Sequence, residues 1–185
     1  MIYVIDHEDS FTYNLVHLLE RFSPTFVSNY YDIDLNKLEK SKIIVFSPGP
    51  GDPSHYPETQ KIYKKYKGLK KIIGICLGFQ QILYGEKGKI VPQKKIYHGY
   101  QSKIRVLDSS KLFSSHKAFL AGRYHSLKLK EPYSSSSLKI TMRCLETNVA
   151  MAVEDTINNV YGFQFHPDSF LTVDGKFLIQ KIIQV

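Results

Sequence analysis

The segment Gly74-Ile75-Cys76-Leu77-Gly78-Phe79-Gln80 follows the apolar pair Ile72-Ile73 and precedes a helix-like stretch from Gln80 to Tyr84. A strand that runs straight into a helix must turn sharply, and a side chain at the corner is lifted clear of the backbone. Gly74 and Gly78 carry no side chain, so strand and helix can pack closely on either side of that corner. The helix N-terminus behind the thiol favours thiolate, the form that attacks. A buried structural cysteine would occupy the same pattern, so the rest of the chain must decide between the two.

Apolar strands alternate with helical patterns through the first half, which predicts an α/β fold with a largely parallel sheet. Tyr3 to Asp6 reads as the first strand. Phe11, Leu15, Leu18 and Leu19 then recur at helical spacing, with Asp9 or Ser10 as the expected N-cap. Lys42 to Ser47 reads as a buried strand, Glu58 to Lys67 as a helix, and Lys71 to Ile75 as the strand feeding Cys76. In the second half, Ile90 to Val106, Ser126 to Leu129, Leu138 to Arg143 and Val149 to Val153 are short, β-like and separated by turn signals. Pro132 to Ser137 reads as an exposed loop, Val160 to Phe165 as a late strand, and Gly175 to the end as a closing helix. The expected fold is therefore a single-domain, open, mostly parallel α/β sheet flanked by helices, with an additional small antiparallel β region, and one domain over residues 1–185.

Two more segments carry chemistry. The late strand ends in His166-Pro167-Asp168-Ser169; a thiol needs a base and the base needs a group to fix its tautomer, so Cys76, His166 and Asp168 make a complete set. Ile43 to Phe46 runs into Ser47-Pro48-Gly49-Pro50-Gly51-Asp52-Pro53. Such a loop offers little side chain but can aim backbone N–H groups at a ligand, as an oxyanion hole requires; an ordinary Pro/Gly turn has the same composition. In doubly wound sheets the ligand site lies at the carboxyl ends of the strands, and the Gly49 loop and Cys76 both fall there.

Taken together, Gly-x-Cys-x-Gly-x-Gln, the Pro-Gly-Pro-Gly-x-Pro loop and Gln-Phe-His-Pro-Asp-Ser resemble the class I glutamine amidotransferases. Asp6 with Asp9-Ser10-Phe11-Thr12-Tyr13-Asn14, His98-Gly99, and Gly122-Arg123-Tyr124-His125-Ser126-Leu127 are similar to the members that serve chorismate, the small subunits of anthranilate or aminodeoxychorismate synthase. The matches run in the family's order from residue 2 to about residue 169. The resemblance implies that Cys76 attacks the side-chain amide of L-glutamine and that His166 moves the protons. It implies that the N–H groups of Gly49 and Leu77 hold the oxyanion, and that Gly49, Pro50, Gly51, Gln80, Ser126 and Leu127 surround the substrate. It also implies a partner, a chorismate-binding synthase large subunit that takes the ammonia, and no cofactor in this chain. Other readings are a non-catalytic or weakly catalytic subunit of such a synthase, or an amidotransferase for another synthase. The chain's end at Val185 leans toward the aminodeoxychorismate or a shared subunit.

This chain departs from the family's pattern in three places. Asp168 stands where Glu is usual, one methylene shorter, which puts the orientation of His166 in doubt. Phe79 stands where His is common and reads as packing. His7-Glu8 interrupts the opening motif and has no reading from sequence.

Composition bounds the rest. At 185 residues with 43% hydrophobic and 23% charged content, the chain suits one globular domain. Cys76 and Cys144 make neither metal spacing nor a disulfide framework. No basic and apolar leader opens the chain and no run approaches the roughly 20 residues that span a bilayer, so the expected setting is a reducing cytoplasm without membrane attachment. The net charge of +8 comes from lysines spread over several elements, with no nucleic-acid module, so no nucleic acid is expected. His98, His116 and His125 read as loop or packing residues, with no metal expected.

Overall fold

Runs of β-branched and aromatic residues build a sheet in the middle of the computed structural model, which describes residues 1–185. The first half consists of β1 (Ile2–Asp6), α1 (Thr12–Glu20), β2 (Thr25–Asn29), α2 (Leu35–Lys40), β3 (Ile43–Phe46), α3 (Pro57–Tyr66), β4 (Lys71–Ile75) and α4 (Leu77–Gly85). The second half adds β5 (Ile90–Pro92), β6 (Tyr100–Val106), β7 (Ala118–Arg123), β8 (Leu127–Leu129), β9 (Lys139–Cys144), β10 (Ala150–Asp155), β11 (Val160–Phe163) and α5 (Gly175–Gln184).

Nine strands form one sheet in the order β2-β1-β3-β4-β11-β10-β9-β6-β7, and β5 and β8 pair separately. From β2 to β11 every pairing is parallel; from β11 to β7 every pairing is antiparallel. The α/β class is as expected. Most of the antiparallel strands extend the central sheet, and only β5–β8 stands apart from it.

Burial on both faces explains why β3 is apolar throughout and β1 is apolar up to its last residue, Asp6. Alternate residues face opposite layers: Ile2 and Val4 of β1 join one cluster, Tyr3 and Ile5 the other. The first cluster takes Leu15, Val16 and Leu19 of α1 and Leu178, Ile179 and Ile182 of α5. The second takes Leu38 of α2, Ile62, Tyr63 and Tyr66 of α3, and Phe79, Ile82 and Leu83 of α4. Helices therefore cover both faces. No helix is long and apolar enough to cross a membrane.

Several elements differ from the sequence reading. β2 and α2 were not expected: β2 is a half-buried edge strand of mixed polarity, and α2 is six residues capped by Asp34, which accepts from Lys37 N at 3.0 Å. β7 was also not expected. Ile90 to Val106 is two strands, β5 and β6, with a loop between them. Neither Asp9 nor Ser10 caps α1; Phe11 is the N-cap residue, and the Asp9 carboxylate accepts from Phe11 N at 2.8 Å, one turn too early. α4 starts at Leu77 rather than Gln80, directly behind Cys76.

Candidate active site

Cys76 is the corner residue between β4 and α4, with φ 54° and ψ −101°, a conformation that L-residues rarely adopt. Three close approaches hold it. A Cβ on Gly74 would lie 2.3 Å from the Gly78 carbonyl oxygen, and one on Gly78 would lie 2.1 Å from the Phe46 carbonyl oxygen. α4 therefore rides over β3 and β4 at backbone contact. At the corner itself, Cys76 N donates to Phe163 O at 2.8 Å, which carries the β4–β11 ladder one residue further.

The Gly49 loop lies against the same corner. A Cβ on Gly49 would meet Leu77 Cδ2 and His7 Cβ, each at 2.5 Å. Gly49 and Leu77, the two expected oxyanion donors, are thus neighbours. Leu77 opens α4, where its N–H has no intrahelical acceptor. His7, which had no reading from sequence, clamps this loop. Its backbone N–H donates to Ser47 Oγ at 2.8 Å, and its ring nitrogens contact Ser47 Oγ (3.2 Å) and Thr59 Oγ1 (2.9 Å). Burial pushes the imidazole down to about 3, so it serves as a neutral donor and acceptor. Tyr56 Oη adds a second clamp, donating to Pro50 O at 2.7 Å.

His166 sits three residues beyond β11, on the strand that neighbours β4, and is almost wholly buried. Its N–H donates to Gly122 O at 3.0 Å, which joins the turn to β7. Phe11 and Tyr124 pack against its ring at 5.0 and 4.9 Å between centroids. Burial alone would lower its pKa, but the Cys76 charge and Asp168 outweigh it and push the imidazole up to about 10. That direction favours the protonated form of the His166 ring at neutral pH.

Asp168 points at His166 without reaching it. Asp168 Oδ2 is 3.6 Å from His166 Nδ1, beyond hydrogen-bond length, and the carboxylate is wholly buried. Neither of its oxygens nor His166 Nδ1 has any hydrogen-bond partner. Around it the turn is tightly pinned: Thr172 Oγ1 donates to His166 O at 2.6 Å and accepts from Gly122 N at 2.9 Å, and Ser169 Oγ meets Tyr124 Oη at 2.9 Å. The backbone has not moved inward to make up for the missing methylene.

Gln80 and Gln164 lie beneath the thiol. Gln80 Nε2 donates to Gln164 Oε1 at 3.0 Å, and Gln164 Nε2 to Cys76 Sγ at 3.8 Å. Gln80 is therefore buried and engaged with another side chain. Gln164 was missed from sequence, yet it precedes His166 by two residues, and alternate residues of an extended segment share a face. Ser126 is exposed and its carbonyl accepts from Gln93 N at 2.9 Å; Leu127 opens β8 and its carbonyl accepts from His125 Nδ1 at 2.7 Å. Tyr124, two residues before Ser126, brings this segment to His166. His98 packs edge-on to Tyr124, and His116 is exposed beside Asp108. No group of three or more His, Cys, Asp or Glu side chains is placed to hold a metal ion.

Residues 3–185 match the family described as glutamine amidotransferase class-I. The chain is 36% identical to anthranilate synthase component 2 of Lactococcus lactis, over 99% of this chain and 93% of that protein. It is also 36% identical to anthranilate synthase component 2 of Cyanidium caldarium, over 100% and 98%. Among solved structures, a Thermoplasma acidophilum protein provisionally described as part of a GMP synthase superposes with a TM-score of 0.85 at 21% identity, over 99% of this chain and 92% of that one. That likeness bears on the fold.

Proposed function

This chain belongs to the class-I glutamine amidotransferase family, and from that premise we propose that residues 1–185 form one amidotransferase domain that hydrolyses L-glutamine and passes the ammonia to a chorismate-binding synthase subunit. The single observation that carries the reading is the strained Cys76 corner at the start of α4, with His166 three residues past the adjacent strand and Gly49 against Leu77.

In the proposed reaction the Cys76 thiolate attacks the side-chain amide carbon of glutamine, and the N–H groups of Gly49 and Leu77 receive the oxyanion. Losing one such donor costs about 2.7–4 kcal/mol in acyl-transfer enzymes. The His166 imidazolium protonates the departing nitrogen, and ammonia leaves a glutamyl thioester. Neutral His166 then takes a proton from water as it attacks the thioester; glutamate leaves, and thiolate and imidazolium are restored. Glutamine and water in, glutamate and ammonia out, the step balances. Gln80 would have to exchange Gln164 for the substrate to act as a ligand. The relatives named above are components of anthranilate synthase, which supports a synthase subunit as the partner; the product, anthranilate or aminodeoxychorismate, is set by that subunit.

One observation favours a second reading, a subunit of reduced glutaminase activity: the 3.6 Å gap between Asp168 and His166. A misplacement of about 1 Å can lower a rate by about 10²-fold. Glutamate release is to be measured for the chain alone and with each candidate synthase subunit from the same organism, with Cys76→Ala as the blank. Release stimulated by one partner and absent in the blank supports the reading and names the product. No release with either partner, while ammonia still supports synthesis, overturns it in favour of a non-catalytic subunit.

A further inference from the structure

Arg123 is the largest fully buried side chain of the protein, and no carboxylate lies within ion-pair distance of it. An Arg stays charged in a protein interior, and a buried cation without a counter-ion is destabilising unless its donors are used. Its Cζ lies 3.5 Å from the centroid of the Tyr97 ring, and Nη1 reaches Ser102 Oγ and Cys144 Sγ at 3.4 Å each. Nη2 has no partner. The short, well-formed bond is the remaining one: Nε donates to His125 Nε2 at 3.0 Å.

That bond settles the His125 tautomer. Arg can only donate, so His125 Nε2 must accept, and a neutral ring must then carry its proton on Nδ1. Nδ1 faces Leu127 O at 2.7 Å, to which it donates. Gln93 Nε2 lies 3.2 Å from Nδ1 and donates to His125 O at the shorter distance of 2.6 Å. Tyr97 stacks on the ring at 6.0 Å between centroids, and the charges of Arg123 and His166 join burial in keeping the ring unprotonated, down to about 3.

We propose that Arg123 is a positioning residue which, through a relay Arg123 Nε–H to His125 Nε2 and His125 Nδ1–H to Leu127 O, sets the backbone of the Ser126–Leu127 segment for glutamine. This rests on the reading that the segment lines the substrate, and it explains why an uncompensated cation is kept in this part of the core. The relay touches neither Cys76 nor the proposed oxyanion donors, so its loss weakens glutamine binding more than turnover.

Two measurements test it. In the isolated wild-type chain, ¹⁵N shifts of the His125 imidazole are expected to report a single Nδ1–H tautomer that does not titrate between about pH 5 and 8. An Nε2–H ring, or titration near the ordinary histidine value, overturns the relay whether or not the chain proves to be a glutaminase. In the synthase complex, Arg123→Met is expected to raise KM for glutamine by roughly 10- to 100-fold with kcat within about threefold, and Arg123→Lys to fall between it and wild type. A fall in kcat at unchanged KM overturns the positioning role. If the wild-type complex releases no glutamate, the functional reading fails, and the imidazole spectrum alone decides the relay.

Discussion

The two sides of the candidate site are built to different tolerances. On the Cys76 side, Gly49, Gly74 and Gly78 interlock with Leu77, Phe46 and His7 at distances no side chain could enter. The strained conformation of Cys76 is over-determined there, which is what allows such strain to persist. On the His166 side the backbone turn is equally well bonded, yet the Asp168 carboxylate proposed to orient the imidazole stops at 3.6 Å and leaves three buried polar atoms unpaired. The difference shows where a fold fixes chemistry by backbone contact and where it relies on the reach of one side chain.

Removing the proposed nucleophile is expected to have the largest effect. Cys76→Ala is expected to lower glutamate release by at least about 10³-fold while ammonia-dependent synthesis by the complex persists; a variant retaining release would place the chemistry elsewhere. Next comes the interlock. Gly78→Ala puts a methyl 2.1 Å from the Phe46 carbonyl, whereas Gly122→Ala on the other side meets Leu171 Cβ and Ser169 Oγ at 2.9 Å. Overpacking typically costs about 1–3 kcal/mol; Gly78→Ala is expected at the top of that range and Gly122→Ala, beside a rotatable Ser, below it. Equal losses in urea titrations would erase the contrast between the two sides.

Asp168→Glu addresses the gap itself. With the methylene restored, the carboxylate reaches His166 Nδ1, and kcat for glutamine hydrolysis is expected to rise by about tenfold, part of what about 1 Å of misplacement can take away. An unchanged or lower kcat means His166 is already held by Phe11 and Tyr124.

The smallest effects are in pH. His7 and His125 are lowered to about 3, so below the ordinary 6.5 the folded protein binds fewer protons than the unfolded chain, and stability is lost as pH falls from about 6.5 toward 3. His166 has the opposite sign: raised to about 10, its contribution is complete below 6.5 and lost as pH rises through 10. Denaturation midpoints across pH should therefore show an acid limb that His7→Asn makes shallower. By NMR, His166 should stay protonated through neutral pH in the wild type and lose its proton at lower pH in Cys76→Ala, where burial acts without the Cys76 side chain to oppose it. A His166 unaffected by that substitution would show that the two do not form an ion pair.

Much of the parallel half was legible in the residues. Buried parallel strands read as unbroken apolar runs, so β1, β3, β4 and β11 stood out, and the glycines around Cys76 announced a corner. β2 and β7 did not: β2 is of mixed polarity and half-buried, and β7 is an edge strand whose short apolar run Ala118 to Ala121 is mostly unburied; α2 is too short for a helical period to register. The residues that bear on the site divide in the same way. Cys76, His166 and the Gly49 loop are local signals at strand ends, and the sequence by itself determined them. The Gln80–Gln164 contact joins side chains 84 positions apart. His7 against Gly49 and Arg123 behind His125 are likewise products of packing. So is the Asp168 gap: chain chemistry names a carboxylate two residues from a histidine, but only the turn between β11 and α5, pinned to β7, decides that one methylene is missing.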